Sequence, residues 1–253
     1  MCAHALRKSI PLYAEKEAED EAEYFQPWVT TAVQGIHLSN GATADEMVLE
    51  FLRAEIDSPR FGTQVSTALS AHASTPEELI DKGDLKNLRQ NSVRAAILGH
   101  YRGYPDAAFF RGFPADALWA RCTLSPEELK NARYAKIIEW VHVSRYTRLI
   151  SVAVETIARG DIGSLARNYN LSEAETDRLR KLVAHVRRVA SDYEQGKKYP
   201  KLIAVRAGDQ LVVLEGHTRA TGFVLSGREE PVEMLIGSSK SMRTWAPLTE
   251  MIL

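Results

Sequence analysis

The stretch Leu211-Val-Val-Leu-Glu-Gly-His-Thr-Arg-Ala-Thr221 decides how the C-terminal part of the chain is read. An apolar, β-favouring run ends in an acid, one glycine breaks it, and a helix-compatible segment follows at once, closed by Gly227. Upstream, Lys201-Leu-Ile-Ala-Val-Arg206 is a second short apolar run. Ala207-Gly208-Asp209 between the two is a turn signal, so the spacing predicts a β-hairpin. Downstream, Pro231 precedes a third expected strand over 232–236. Hairpin, helix and strand make a small α/β unit over 196–253.

Working back from that unit, residues 1–195 read as predominantly helical. Thr43-Ala-Asp-Glu46 is a capping box opening a segment with Met47, Val48, Phe51 and Leu52 on one face. Ser125-Pro-Glu-Glu128 is another, with apolar residues at helical spacing behind it at Leu129, Ala132, Ile137 and Trp140. A helix over 149–158 should stop at Gly160, and Ser172 to Glu175 opens a long one ending near Gly196. The expected class is therefore α+β, with a helical front half and an α/β tail, either as two units or as one integrated domain.

Composition narrows the function classes. Of 253 residues, 45% are hydrophobic and 26% charged, which suits a globular chain rather than a disordered one. The net charge of −1 carries no basic surplus, which makes a protein built to coat nucleic acid an unfavoured reading without excluding it. Cys2 and Cys122 fit neither a metal-ligand spacing nor a disulfide framework, and His4, His37 and His72 show no ligand spacing either. No apolar run reaches the ~20 residues of a membrane span. The first 23 residues lack an apolar signal core and turn acidic. A cytoplasmic protein with no membrane partner is the expectation.

The chemistry concentrates at the junction of strand and helix. A helix start presents free N–H groups and a positive dipole end, which favour an anion. Gly216 allows close backbone approach, Thr218 adds a hydroxyl, and Arg219 a charged fork suited to phosphate oxygens. His217 can carry a proton near neutral pH, and Glu215 can act as a base or hold a metal–nucleotide. The same residues also suit a plain helix cap, and the spacing alone does not choose between the two.

The segment 211–221, with Pro231-Val-Glu-Met-Leu-Ile-Gly237 after it, resembles the ParB/sulfiredoxin superfamily. Its members share a strand, an acidic or small residue, Gly, two variable positions and Arg opening a helix. Gly216 and Arg219 match the shared positions and Glu215 the acidic one. The resemblance implies a nucleotide-phosphate site at Gly216, His217, Thr218 and Arg219, taking ATP or another nucleotide with Mg²⁺. It further implies Glu215 or His217 as catalytic base, in a phosphotransferase or nucleotide hydrolase acting on a small molecule. A nucleotide-sensing regulatory or DNA-associated binding protein is the alternative. Two departures matter: sulfiredoxins place a nucleophilic cysteine before the turn's histidine, whereas His217 here directly follows Gly216, and only a short tail follows Gly227, where ParB proteins continue into a DNA-binding helix-turn-helix. The whole arrangement is similar to bacterial proteins with a helical front half and a ParB-like tail.

Weaker signals lie outside the turn. Arg145, Thr147 and Arg148 cluster with Ser144 where a second anion or substrate pocket could form, or where a solvated helix start would look the same. Arg102, with His100, Tyr101 and Arg111, falls among aromatic residues in an expected loop suited to substrate contact or to core packing. Trp119 and Trp140 read as core anchors. Residues 163–172 and the helix after them are similar to a helix-turn-helix, although the Ser172 cap explains them without DNA. Lys197 and Lys198 could approach the phosphates or simply be solvated, and a homodimer is compatible with the sequence.

Overall fold

The computed structural model describes residues 37–249. The acidic N-terminal stretch, Cys2 and His4 lie outside the described residues. The described part falls in one compact unit beginning at His37, and it is α+β: a mixed six-stranded sheet and, among the described residues, ten helices.

Strand β1 (His37–Ala42) leads into α1 (Ala44–Glu55), α2 (Gly62–Ala71) and α3 (Leu88–Arg102). After β2 (Leu118–Leu124) come α4 (Pro126–Lys130), β3 (Arg133–Tyr134), α5 (Ile138–Val143), α6 (Ile150–Arg159), α7 (Ile162–Asn168) and the long α8 (Glu173–Glu194). The tail contributes β4 (Leu202–Ala207), β5 (Gln210–Glu215), α9 (His217–Leu225), β6 (Val232–Ser238) and α10 (Ala246–Thr249). The strand order is β1-β2-β6-β4-β5-β3. β4 and β5 form the antiparallel hairpin, turning at Gly208 with φ 69°, while β6 lies parallel to β4 and β3 parallel to β5.

Strands β1 to β3 precede residue 195 and β4 to β6 follow it, so the sheet draws on both sides of the boundary expected there. β2 pairs with β6 over its full length, from Leu118 opposite Ser238 to Leu124 opposite Val232. On one side, Ile203, Val205, Val212, Leu214 and Leu235 pack with Met47, Phe51 and Leu52 of α1 and with Phe110, Trp119 and Trp245 in one apolar cluster. The other side is covered by α9, which packs on α8 and α6. Gly222 allows that approach, since a Cβ there would meet Val189 Cγ1 at 2.7 Å.

The caps at Ser125 and Ser172 form as reciprocal boxes. At Thr43 only half of the box forms: the hydroxyl accepts from Glu46 N at 3.1 Å, but the Glu46 carboxylate turns to Arg121 and Lys201 instead. Two local expectations are corrected. The apolar spacing 129–140 is not one helix: α4 stops at Lys130, and the backbone of 132–135 bonds sideways, Tyr134 N to Arg148 O at 2.9 Å and Ala135 N to Val213 O at 3.2 Å. Pairing with β5 overrides the helical pattern there. His100, Tyr101 and Arg102 are not in a loop but in the last turn of α3, capped by Gly103 with φ 80°.

Candidate functional site

The strand–glycine–helix turn forms as the sequence requires. β5 ends at Glu215, Gly216 takes a left-handed conformation (φ 93°, ψ 24°), and α9 begins at His217 with no side-chain cap. A non-glycine residue at that φ is strained, and a Cβ would meet Leu202 Cδ2 at 2.6 Å and Arg219 Nη2 at 2.9 Å. Thr218 is half-buried in the first turn of α9. The turn thus presents an uncapped helix start beside Thr218, the arrangement that attracts an anion.

The charges around it form a tetrad, buried at Glu55 and Arg219 and half-buried at Arg102 and Glu215. Arg219, 7% exposed, donates through Nη1 to the carbonyls of Pro200 and Lys201 and through Nη2 to Glu215 Oε1 at 3.3 Å. Glu215 Oε2 lies 3.7 Å from Arg102 Nη2. Arg102 in turn donates through Nε to Glu55 Oε1 at 2.9 Å and sits 3.7 Å from the centroid of the Phe61 ring. Two carboxylates and two guanidiniums therefore alternate, Glu55–Arg102–Glu215–Arg219, and sum to zero charge when all are ionised. Burial, and then the charge of Glu215, push the Glu55 carboxyl above its ordinary range. Burial also pushes up the neighbouring Tyr101 hydroxyl, with the Glu55 charge adding to the shift.

A second set of bonds fixes the start of β4, where Arg219 grips Pro200 and Lys201. Lys201 N donates to Glu50 Oε2 at 3.1 Å and Lys201 Nζ to Glu46 Oε1 at 2.9 Å. Glu46, Glu50 and Glu55 are all buried on α1. The helix thus carries a row of acids against the turn and the strand before it.

His217 faces elsewhere. Its ring stacks on Trp140 (5.8 Å between centroids) and tilts against Tyr134 (5.8 Å), and burial pushes its pKa down to about 4. The ring is neutral at pH 7 and packed in the interior, while its backbone N–H belongs to the α9 start. Tyr134 connects this layer to α9, its hydroxyl lying 2.7 Å from Thr221 Oγ1.

Of the more distant candidates, Arg102 is brought to the turn and Arg145, Thr147 and Arg148 are not. Arg145 and Thr147 are exposed, and Arg148 is spent on the carbonyls of Tyr134 (2.8 Å) and Leu248 (3.1 Å). Arg145, Tyr146 and Arg148 have φ of 51°, 65° and 64°, a strained turn tied down by those bonds. Arg111, His100, Lys197 and Lys198 are exposed, and Lys197 pairs with Asp192 at 3.0 Å. Trp119 and Trp140 are both buried anchors.

Glu55 and Phe61 were not legible as site residues. Glu55 meets Glu215 only through the fold, across a long sequence separation, and no motif marks it. Among the described residues no group of three or more His, Cys, Asp or Glu is placed to hold a metal ion. Among them, too, no helix is long and apolar enough to cross a membrane. Comparison with protein-family models, curated proteins and solved structures gives no match.

Proposed function

We propose that the turn from Glu215 to Arg219 binds the phosphates of a nucleotide, and that the protein is a nucleotide-dependent phosphotransferase or hydrolase acting on a small molecule. The observation that carries this reading is the strand β5 running into the uncapped start of α9 through left-handed Gly216. The N–H groups of His217 and Thr218 and the Thr218 hydroxyl supply the donors, and the helix dipole favours the negative charge. Arg219, already satisfied by two carbonyls and Glu215, positions the turn rather than reaching out. Glu215, at the strand end, is the group placed to take a proton from an acceptor, and Arg102 orients it. The His217 ring, neutral and packed on Trp140, supports the turn from below. Divalent metal accompanying the nucleotide would be carried mainly by the phosphates, with Glu215 beside them. Such chemistry works by positioning and charge neutralisation, which a rigid turn supplies.

The test is turnover. With ATP or CTP and Mg²⁺, the wild type should release inorganic phosphate or phosphorylate an acceptor, and Thr218→Glu should do neither. Nucleotide bound without turnover would favour the sensing alternative; no binding at all would remove both.

A further inference from the structure

The near-zero net charge hides one strongly basic surface, the solvent face of α8. From Arg178 to Ser191 this helix contains Arg178, Arg180, Lys181, Arg187 and Arg188 and no acidic residue. Four of the cations recur seven residues apart, Arg180 with Arg187 and Lys181 with Arg188. Two helical turns separate such pairs, so each lies on one line along the helix. Together the lines cover the side opposite Thr176, Leu179, Val183 and Val186, which are buried against the body. All five cationic residues are exposed, although Arg187 also donates to the Ile157 carbonyl at 2.9 Å and Arg188 bonds the His185 ring. Arg178 and Lys181 make no ion pair among the described residues, and the flanking acids are already engaged, Asp177 with Arg180 at 3.1 Å and Asp192 with Lys197.

The face is also held out from the body. α7 ends in a tight turn through Asn170 (φ 49°), where Leu171 N bonds back to Ala166 O at 2.9 Å, and α8 starts from the Ser172 capping box. Ile162 and Leu165 of α7 and Thr176 and Leu179 of α8 are buried, so the pair is rigid and its outer side free. The cations span about 15 Å of a straight, convex helix.

We propose that this face of α8 binds the phosphate backbone of duplex DNA. Rows of cations with no intervening acid complement a polyanion, whereas a folded acidic protein offers scattered charges. A convex helix of this kind fits beside or within the wide major groove of B-form DNA, but not the narrow one of A-form RNA. Glu173, Glu175 and Asp177 crowd the first turns of α8, so that end is repelled by phosphates and does not enter the groove to read bases. The interaction is therefore with the backbone, independent of base sequence and steeply dependent on salt. It stands apart from the nucleotide reading, since no residue of the 215–219 turn takes part.

The experiment is fluorescence anisotropy of a labelled mixed-sequence duplex with the full chain between about 50 and 200 mM salt. The wild type should bind with a log–log salt slope of roughly −3 to −4, as about four phosphate contacts require. Lys181→Glu combined with Arg188→Glu, both exposed and melting at the wild-type temperature, should weaken binding at least about tenfold and flatten the slope by about two. Failure of the wild type to bind at the lowest salt overturns the proposal. So does equal binding by the double variant, or binding of single-stranded RNA with none of the duplex.

Discussion

Replacing Arg102 with methionine should destabilise the protein by an amount that grows with pH. Methionine keeps most of the apolar stem that lies over Phe61 but removes the cation that bonds Glu55. Glu215 keeps Arg219 at 3.3 Å, whereas Glu55, 1% exposed, loses its hydrogen-bonded cation. Stripping one partner from a buried ion pair costs about 3–5 kcal/mol if the other stays charged. Glu55 can avoid that cost by taking up a proton, and its folded pKa is already raised with Arg102 present. A carboxyl whose folded pKa is raised contributes its stability fully below the unfolded value of ~4.3 and loses it as pH rises through the folded value. Without Arg102 the folded value climbs further, so the loss widens above pH ~5. At pH ~5 what remains is the contact with Phe61, about 1 kcal/mol. Urea denaturation at pH ~5 and pH ~8 should therefore show a small loss and then one of about 3–5 kcal/mol, worth roughly 10 °C in Tm. Adding Glu55→Gln to the variant should recover most of the loss at the higher pH. An equal loss at both values, or under about 1 kcal/mol throughout, would show that Arg102 does not hold a buried charge.

Two further substitutions probe the turn. Gly216→Ala should cost about 1–3 kcal/mol, because alanine is strained at φ 93° and its Cβ would press on Leu202 and Arg219; thermal melting checks the stability, and nucleotide binding should fall with it. His217→Gln should flatten the acid limb of the stability profile. A histidine whose folded pKa is depressed to about 4 contributes stability above its unfolded pKa of ~6.5 and loses it as pH falls toward the folded value. Urea denaturation between pH ~7 and ~4 should show a loss on the order of 3 kcal/mol in the wild type that the variant lacks.

What could be read in the sequence was whatever local chemistry enforces. The hairpin, Gly216 and the caps at Ser125 and Ser172 each depend on residues within a few positions of one another, and all formed. β2 was missed because its alternation is short and interrupted: Ala120, Cys122 and Leu124 are buried with Arg121 and Thr123 half-buried between them, while Trp119 is buried next to Ala120 and breaks the pattern. The break between α4 and α5 was missed because its apolar residues do fall at helical spacing, and only pairing of Arg133 and Tyr134 with β5 shows why the helix ends. The tetrad was half legible. Glu215 and Arg219 lie four residues apart across the turn and announce themselves. Arg102 stands out in the sequence but within an expected loop and not beside the turn, and Glu55 does not stand out at all, because both are brought there by the packing of α1 and α3. The direction of the His217 ring was hidden as well, since Trp140 reaches it only after α5 has folded against α9.

The central claim is that the α9 start holds phosphate, and calorimetry of ATP, ADP and CTP with Mg²⁺ against wild type and Thr218→Glu tests it most directly. A glutamate in the first helical turn favours the dipole and leaves the fold intact, yet it places a negative charge where the phosphate would sit. The account predicts binding of at least one nucleotide by the wild type, abolished in a variant that melts at the same temperature or higher. A wild type that binds none of them, or a variant that binds equally well, contradicts it.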